Sequence, residues 1–467
     1  MRARQPPNPA AAQPPTRQLR RREFLLLATC GAGSVALAGI LVACGSTALV
    51  APAATPATGA LAAPLVAGTP VAATPAASGI VSYFITGDPA EKAAYQSLVA
   101  AFTQRHTRIA IELSHVPNSG DYTKRLIADL AAGTPADVVM LNYRRFGAFA
   151  ARGAFDPLGP YLAAGAAIKQ ADLHAELIPA FSRNGVLVGM PQNASSLVAY
   201  YNKTLFGKAG IAYPTAGWTW DDFIETAQGL TKGTEQYGIG MDPQMIRVAP
   251  FIWQHGGDIV DNIQRPTKLT FDRPESVAAV RWFTDLQVKH KIAPDAVQVA
   301  AEDDEKRFLN GRSAIFFDSR RFVPTMREIE AFDWDVAALP TGKSRASILH
   351  SDAYFLTAAS KHKAAAYAFI EFANGQEGQG IIARTGRTVP SLKAMAESNT
   401  FLAGNTKPQS NRVFLDAIPI LRPTIGIDTT EQIESIVNNE LKRSFYGQAT
   451  VAEAIATMTA RTAELFK

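Results

Sequence analysis

The sequence predicts an α/β fold built on a mainly parallel sheet, and three observations carry that expectation. Apolar runs suited to strands alternate with stretches of helical spacing from residue 80 to residue 141. Helix-capping signals punctuate the alternation, and the pattern resumes further along the chain. Beyond its first residues the chain keeps about 390 residues, enough to bury a core and to form two domains. No period of 20 to 50 residues repeats, so a solenoid is excluded.

The elements follow in order. Ile80-Val81-Ser82-Tyr83-Phe84-Ile85 reads as the first strand. Asp88 stands where a helix cap belongs, with Pro89 next and Glu91 three positions on; Tyr95, Leu98, Val99 and Phe102 then recur at helical spacing. "TRIAIELSHV" reads as a second strand, "DYTKRLIADLAAG" as a helix closed by Gly133, and "DVVML" as a third strand. Thr219 with Asp222 caps "WDDFIETAQGL", and Asp272, Pro274 and Glu275 open "ESVAAVRWFTDLQVKH". "RSAIFF" and "WDVAAL" read as strands, and "KHKAAAYAFIEFANG" as a helix ending at Gly375. Strand-helix alternation of this kind places ligand loops at the ends of the strands.

The first 43 residues read as a leader. Arg21-Arg22 precede an apolar, Ala/Gly-rich stretch ending in Leu41-Val42-Ala43-Cys44-Gly45, which resembles a twin-arginine signal followed by the lipobox of bacterial lipoproteins. Cleavage before Cys44 would leave that thiol to be lipidated; the other reading is a short transmembrane helix, barely long enough to span. Residues 44–79, nearly all Ala, Pro, Thr, Gly, Ser, Val and Leu and without charge, read as a tether. The chain has 46 basic and 41 acidic side chains. Six of the arginines and only one acid, Glu23, lie in the leader, so the remainder is formally neutral and its charge does not point to nucleic acid. Both cysteines, Cys30 and Cys44, lie at or before the cleavage point, which leaves no thiol for a disulfide, a nucleophile or a metal site.

Motifs for catalysis are missing. The seven histidines are scattered, without H-E-x-x-H, and there is no G-x-S-x-G. "TGKS" at 341–344 lacks the first glycine of a phosphate loop and reads as an ordinary loop. "EDDEKRF" at 302–308 lacks alternating oxygen ligands and reads as a solvated helix start.

The segment "GVLVGMPQNASSLVAYYNKTLFGKAG", residues 185–210, carries Pro191 and Tyr201-Asn202-Lys203. With Thr219-Trp220-Asp221-Asp222-Phe223, Ala132-Gly133-x-Pro135-x-Asp137, Gly256-Gly257, Gly311-Arg312-Ser313-Ala314 and Leu339-Pro340 followed by Ser360-Lys361-His362-Lys363, it resembles family 1 of the bacterial extracellular solute-binding proteins, the maltose-binding type. The resemblance covers residues 80–395. It implies a type II periplasmic-binding-protein-like fold of two α/β lobes hinged by crossing strands, closing on solute and docking on an ABC permease. The first lobe would combine residues 80–191 with 341–395, and the second 192–340 with 396–467. No cofactor and no metal is implied. The protein would be a monomer, anchored by lipid to the outer face of the membrane. Tyr200 and Tyr201 should point to opposite faces of a strand, as packing residues; paired tyrosine ligands for iron, as in iron-binding relatives, are the sharper alternative.

Loops matched to the family supply the candidate ligand-binding residues. They are Thr86 and Asp88; Asn142, Tyr143, Arg144 and Arg145; Gln192, Asn193 and Ser195; Trp253; Asp318 and Arg320; Ser351 and Asp352; and Arg387. Asp88 serves equally as a helix cap. Trp253 either stacks on a sugar ring or fills the core. Arg144 stands where maltose-type relatives offer an acid. An Arg-rich, Trp-poor set fits an anionic solute such as a glycerophosphate as well as a carbohydrate, unless the arginines bridge the lobes. A secreted glycoside hydrolase is a third reading, with Asp318 and Asp352 as its only tempting carboxylate pair.

Overall fold

The computed structural model describes residues 77–164, 167–403 and 406–467. The leader, Cys44 and the tether as far as residue 76 lie outside the described residues. Among the described residues, no helix is long and apolar enough to cross a membrane.

Nine strands build two sheets: β1 (Gly79–Thr86), β2 (Ile109–Val116), β3 (Val138–Asn142), β4 (Met190–Pro191), β5 (Leu197–Asn202), β6 (Tyr237–Gly240), β7 (Ser313–Ser319), β8 (Trp334–Ala337) and β9 (Asp352–Leu356). The first sheet runs β2-β1-β3-β9-β4 and the second β8-β5-β7-β6. Each belongs to its own lobe, so the two-lobed α/β expectation holds.

One part of it needs correction: the sheets are mixed, not mainly parallel. In the first, β1 pairs parallel with β2 and β3, but β9 pairs antiparallel with β3 and β4. In the second, β6 runs parallel to β7, while β5 is antiparallel to both β7 and β8. The cause is the crossing topology. Parallel order comes from strand-helix-strand units within a lobe, whereas β5 and β9 are reached across the hinge and enter from the opposite end.

The chain crosses first at residues 191–197. Residues 193–194 pair with 389–390, and Ser195 bridges His350 before β5 joins the second sheet. It returns over residues 338–351, where 347–348 pair with 421–422. Helices Lys393–Ala396 and Asn399–Leu402 pack on the helix Gln376–Arg384, and Phe401 also lies under Arg320 at the end of β7.

Local chemistry explains most element ends. The Asp88 carboxylate accepts the backbone N–H of Glu91 at 2.8 Å and caps Pro89–Arg105. Thr219 and Asp222 form a reciprocal capping box on Trp220–Leu230. Helix Pro274–Val288 begins on Pro274, but its cap position is Arg273, without a side-chain bond; Asp272 does not cap it. Asp303 caps the helix at 304–309 as a helix start should, yet Asp304 and Arg307 are buried, so that segment is not a solvated face.

Three motif residues also find their reason. Asp137 accepts Ser82 N–H and Oγ–H at 2.8 Å on one oxygen and the Ser360 hydroxyl at 2.6 Å on the other, tying the start of β3 to β1 and to the turn after β9. On β5, Tyr200 packs beside Phe316 and Trp334, while Tyr201 faces Phe206 and Tyr213. The two rings therefore serve different cores, and their divergence argues against a shared metal.

Gly238 on β6 lies so close to helix Trp220–Leu230 that an added Cβ would sit 2.2 Å from the carbonyl oxygen of Ala227. Gly238→Ala should force helix and strand apart and cost about 1–3 kcal/mol. The expected result is a lower urea midpoint with an unchanged m-value; an unchanged midpoint would show that the contact relaxes freely.

Candidate functional site

Between the lobes lies a cleft of about 950 Å³. Its wall is assembled from strand ends. The first lobe contributes the end of β1 (Thr86, Asp88, Glu91), the end of β3 (Asn142, Arg144, Arg145) and, because β9 runs antiparallel, the start of β9 (His350, Asp352). The crossing adds Asn193 and Ser195, and the second lobe adds Asp242, Gln244, Ile246 and Arg247 after β6 and Asp318, Ser319, Arg321 and Phe322 at and just beyond the end of β7. This is where α/β sheets bind ligands, just outside their strand ends.

Asp352 is the best-held group of the first wall. One oxygen accepts Asn142 Nδ2–H at 3.1 Å, the other Asn193 Nδ2–H at 3.3 Å, and its own N–H donates to Asn193 Oδ1 at 3.1 Å. Arg387 reaches Asp88 at 2.6 Å and Glu91 at 3.1 Å. Glu91 packs against Gly87, whose φ of +142° and missing Cβ admit the carboxylate. Burial, aided by Asp352 and Asp88 and opposed by Arg387, pushes Glu91 up to about 7. On the second wall Arg247 is ion-paired with Asp318.

The loop after β3 spans the lobes. Arg144 Nη1 lies 2.6 Å from Glu434 and Arg145 Nη2 3.2 Å from Glu431, both acids on the second-lobe helix Thr430–Phe445. Arg144 therefore does both things its position suggested: it lines the cleft and it bridges the lobes. Glu434 keeps its guanidinium charged against the opposing effect of burial.

Ten of the fifteen sequence-derived candidates line the cleft: Thr86, Asp88, Asn142, Arg144, Arg145, Asn193, Ser195, Asp318, Asp352 and Arg387. Five do not. Tyr143 is buried, its hydroxyl 2.9 Å from Thr424 Oγ1 across the lobes. Gln192 is buried beside Asn193, and its carbonyl accepts Gln379. Ser351 is buried and its hydroxyl donates to the Asn193 carbonyl. Trp253 is a core residue, its Nε1–H 3.0 Å from Asp258 and its ring covered by Arg422 at 4.9 Å. Arg320 is 1% exposed, donates to Asn411 Oδ1 at 2.8 Å and lies over Phe401 and Phe414; burial pulls it down to about 9. β7 ends at Ser319 and a 3-10 turn over Arg320–Phe322 follows, which breaks the strand alternation: Asp318 and Arg321 reach the cleft while Arg320 turns inward.

Glu91, Asp242, Gln244, Arg247, Glu305, Arg321 and His350 were not anticipated. Reading "YGIGM" as a strand would have flagged the loop at 242–247, but Gly238 and Gly240 weaken that signal.

A model of the bacterial extracellular solute-binding proteins matches residues 86–380. The chain belongs to that family. As such it is an exported protein that binds small solutes and passes them to a membrane permease. It is similar to the mannitol-binding protein of Pseudomonas aeruginosa, 26% identical over 403 residues, which cover 80% of this chain and 90% of that one. Among solved structures, an ABC substrate-binding protein from Listeria monocytogenes in complex with cycloalternan superposes with a TM-score of 0.75 at 23% identity, covering 83% of this solute-binding protein and 99% of that chain. UgpB from Mycobacterium tuberculosis in complex with glycerophosphocholine superposes with a TM-score of 0.72 at 22% identity, covering 83% and 98%.

His350 titrates far from the usual imidazole range. Loss of water first, then Arg144, Arg247 and Arg321, hold it down to about 3. The folded value is below the unfolded one, so the unfolded chain takes up this proton first. The neutral ring's contribution is complete above about pH 6.5 and is lost as pH falls through 3. The ring signals should stay in the neutral form at pH 5 by NMR, and His350→Asn should flatten the fall in melting temperature between pH 6.5 and 4. A ring midpoint near 6.5 would contradict this placement.

Proposed function

We propose that the protein captures a neutral carbohydrate or polyol in the interlobe cleft and hands it to an ABC permease. The observation that carries this reading is charge compensation in the cleft wall. Arg144, Arg145, Arg247 and Arg387 each have a carboxylate partner within the protein, and the wall also holds Asp242, Glu305 and Asp352. Carboxylates and amides in fixed geometry accept and donate to several hydroxyl groups at once without demanding a charged ligand. The mannitol-binding and cycloalternan-bound relatives support the same class. A second reading, an anionic solute, rests on Arg321, which lines the cleft and has no ion pair among the described residues. No hydrolysis is proposed: Asp318 is engaged with Arg247, Asp88 and Glu91 with Arg387, Asp242 with Lys442 and Asp352 with amides.

A thermal-shift panel of neutral sugars, polyols and glycerophosphates tests the reading. A neutral member at a hundred times its Kd should stabilise the protein by about 2.7 kcal/mol. Asp352→Asn should weaken that ligand roughly tenfold or more, because an ionised acceptor is lost. Stabilisation by glycerophosphates alone would reverse the assignment.

We also propose that Cys44 is lipidated and that residues 45–79 tether the lobes to the outer membrane face. The Arg21-Arg22 pair, the apolar stretch and the lipobox support this. Cys44→Ala should move the protein from the membrane to the soluble fraction on cell fractionation, with an unchanged melting curve. A variant still held in the membrane with its leader attached points to a transmembrane segment.

A further inference from the structure

The acids that neutralise the arginines of the β3 loop are not themselves in the cleft. Glu431 and Glu434 stand one turn apart at the start of helix Thr430–Phe445, with Asp428 just before it. Asp428, Glu431 and Glu434 follow one another at intervals of three, and each faces one arginine of the segment 144–152: Arg152 at 3.7 Å, Arg145 at 3.2 Å and Arg144 at 2.6 Å. The pairs differ in exposure. Arg152–Asp428 is solvated on both sides, whereas the side chains of Arg144 and Glu434 are 21% and 18% exposed. Only Arg144–Glu434 is shielded on both sides and so escapes most solvent screening; in the middle pair Arg145 is 27% exposed but Glu431 is 63% exposed, so its attraction is weaker.

We propose that Glu431 and Glu434 are selectivity residues: by occupying Arg144 and Arg145 from behind the cleft wall, they bar anionic solutes from a site that otherwise has the guanidinium groups to hold them. This rests on the cleft being the solute site. An incoming phosphate or carboxylate meets Arg144 already committed to Glu434, with Asn142 Oδ1 accepting from its Nε at 3.3 Å. It also meets Asp352 and Glu305, acids of the wall that have no ion pair among the described residues. A neutral polyol meets no such opposition. Glu431 lies in the first turn of its helix, where the helix N-terminus favours a carboxylate, and Glu434 follows one turn later on the same face. The same contacts join the lobes, so their removal also loosens closure; that effect weakens every ligand alike and cancels in a ratio of affinities.

The test is calorimetric titration of the full protein and of the Glu431→Gln/Glu434→Gln variant with inorganic phosphate, sn-glycerol 3-phosphate and the best neutral member of the panel. Glutamine keeps the shape and still accepts a hydrogen bond from arginine. The ratio of anion to neutral affinity should rise about tenfold or more, the gain should shrink with added salt, and adding Arg144→Ala to the variant should remove most of it. An equal change for both ligand classes, or a gain that survives Arg144→Ala, would overturn the proposal. Should no neutral member bind, the carbohydrate reading falls on the parent protein alone; the selectivity claim is then read from phosphate affinity, which must still rise in the variant. A melting curve of each protein shows that folded material is compared.

Discussion

The arrangement of the molecule depends on a backbone ladder between residues 190–195 and 350–354. Met190 and Pro191 pair with Tyr354 and Ala353, Gln192 N–H donates to Asp352 O at 2.8 Å, and Ser195 and His350 exchange both backbone bonds. This stretch is at once the edge of the first sheet, the first hinge crossing and the cleft floor. Its side chains follow from that position. Asn193 satisfies Asp352 because the ladder sets them side by side, and the Ser351 hydroxyl donates to the Asn193 carbonyl. A buried crossing without such partners would leave backbone groups unpaired at a cost of about 1–3 kcal/mol each. Binding groups and hinge are therefore one structure, which lets contact with solute bias lobe closure directly.

The second lobe is tied into the same scheme through β5. Its six residues are all buried, and alternate side chains enter two different clusters, one around Phe316, Trp334 and Val336 and one around Ile239, Phe251 and Phe317. The strand that leaves the hinge is thus clamped on both faces.

Much of this was legible in the chain, and the reasons are local. Asp88, Thr219 and Asp222 announce helices because a cap and its partner lie within three residues of each other. Tyr200 and Tyr201 announce opposite faces because strand geometry demands it. The cleft loops at Thr86, Asn142 and Asp318 follow from strand ends. What stayed hidden depends on partners distant in sequence. Arg144 and its acid are 290 positions apart, so whether that arginine serves a ligand or a salt bridge could not be read from either segment. Arg320 and Arg321 are adjacent and chemically identical, yet only packing against Phe401 and Phe414 decides which is interior. The direction of β9, and with it the mixed order of the sheet, depends on a crossing that leaves no periodic trace.

The discontinuous lobes have a consequence for how the chain is made. β3 must wait for β9, and the residues that meet there, Asn142 and Asp352, are separated by 210 positions. At synthesis rates of about 5–20 residues per second, roughly 10–40 s pass between the two. During that interval the apolar edge Val138-Val139-Met140-Leu141 has no neighbour on one side, and open apolar edges recruit other chains. The first lobe, although it begins the fold, cannot close before most of the second has been synthesised. A nascent chain of this topology thus needs its sticky edge shielded for longer than one whose domains are each built from a single uninterrupted stretch.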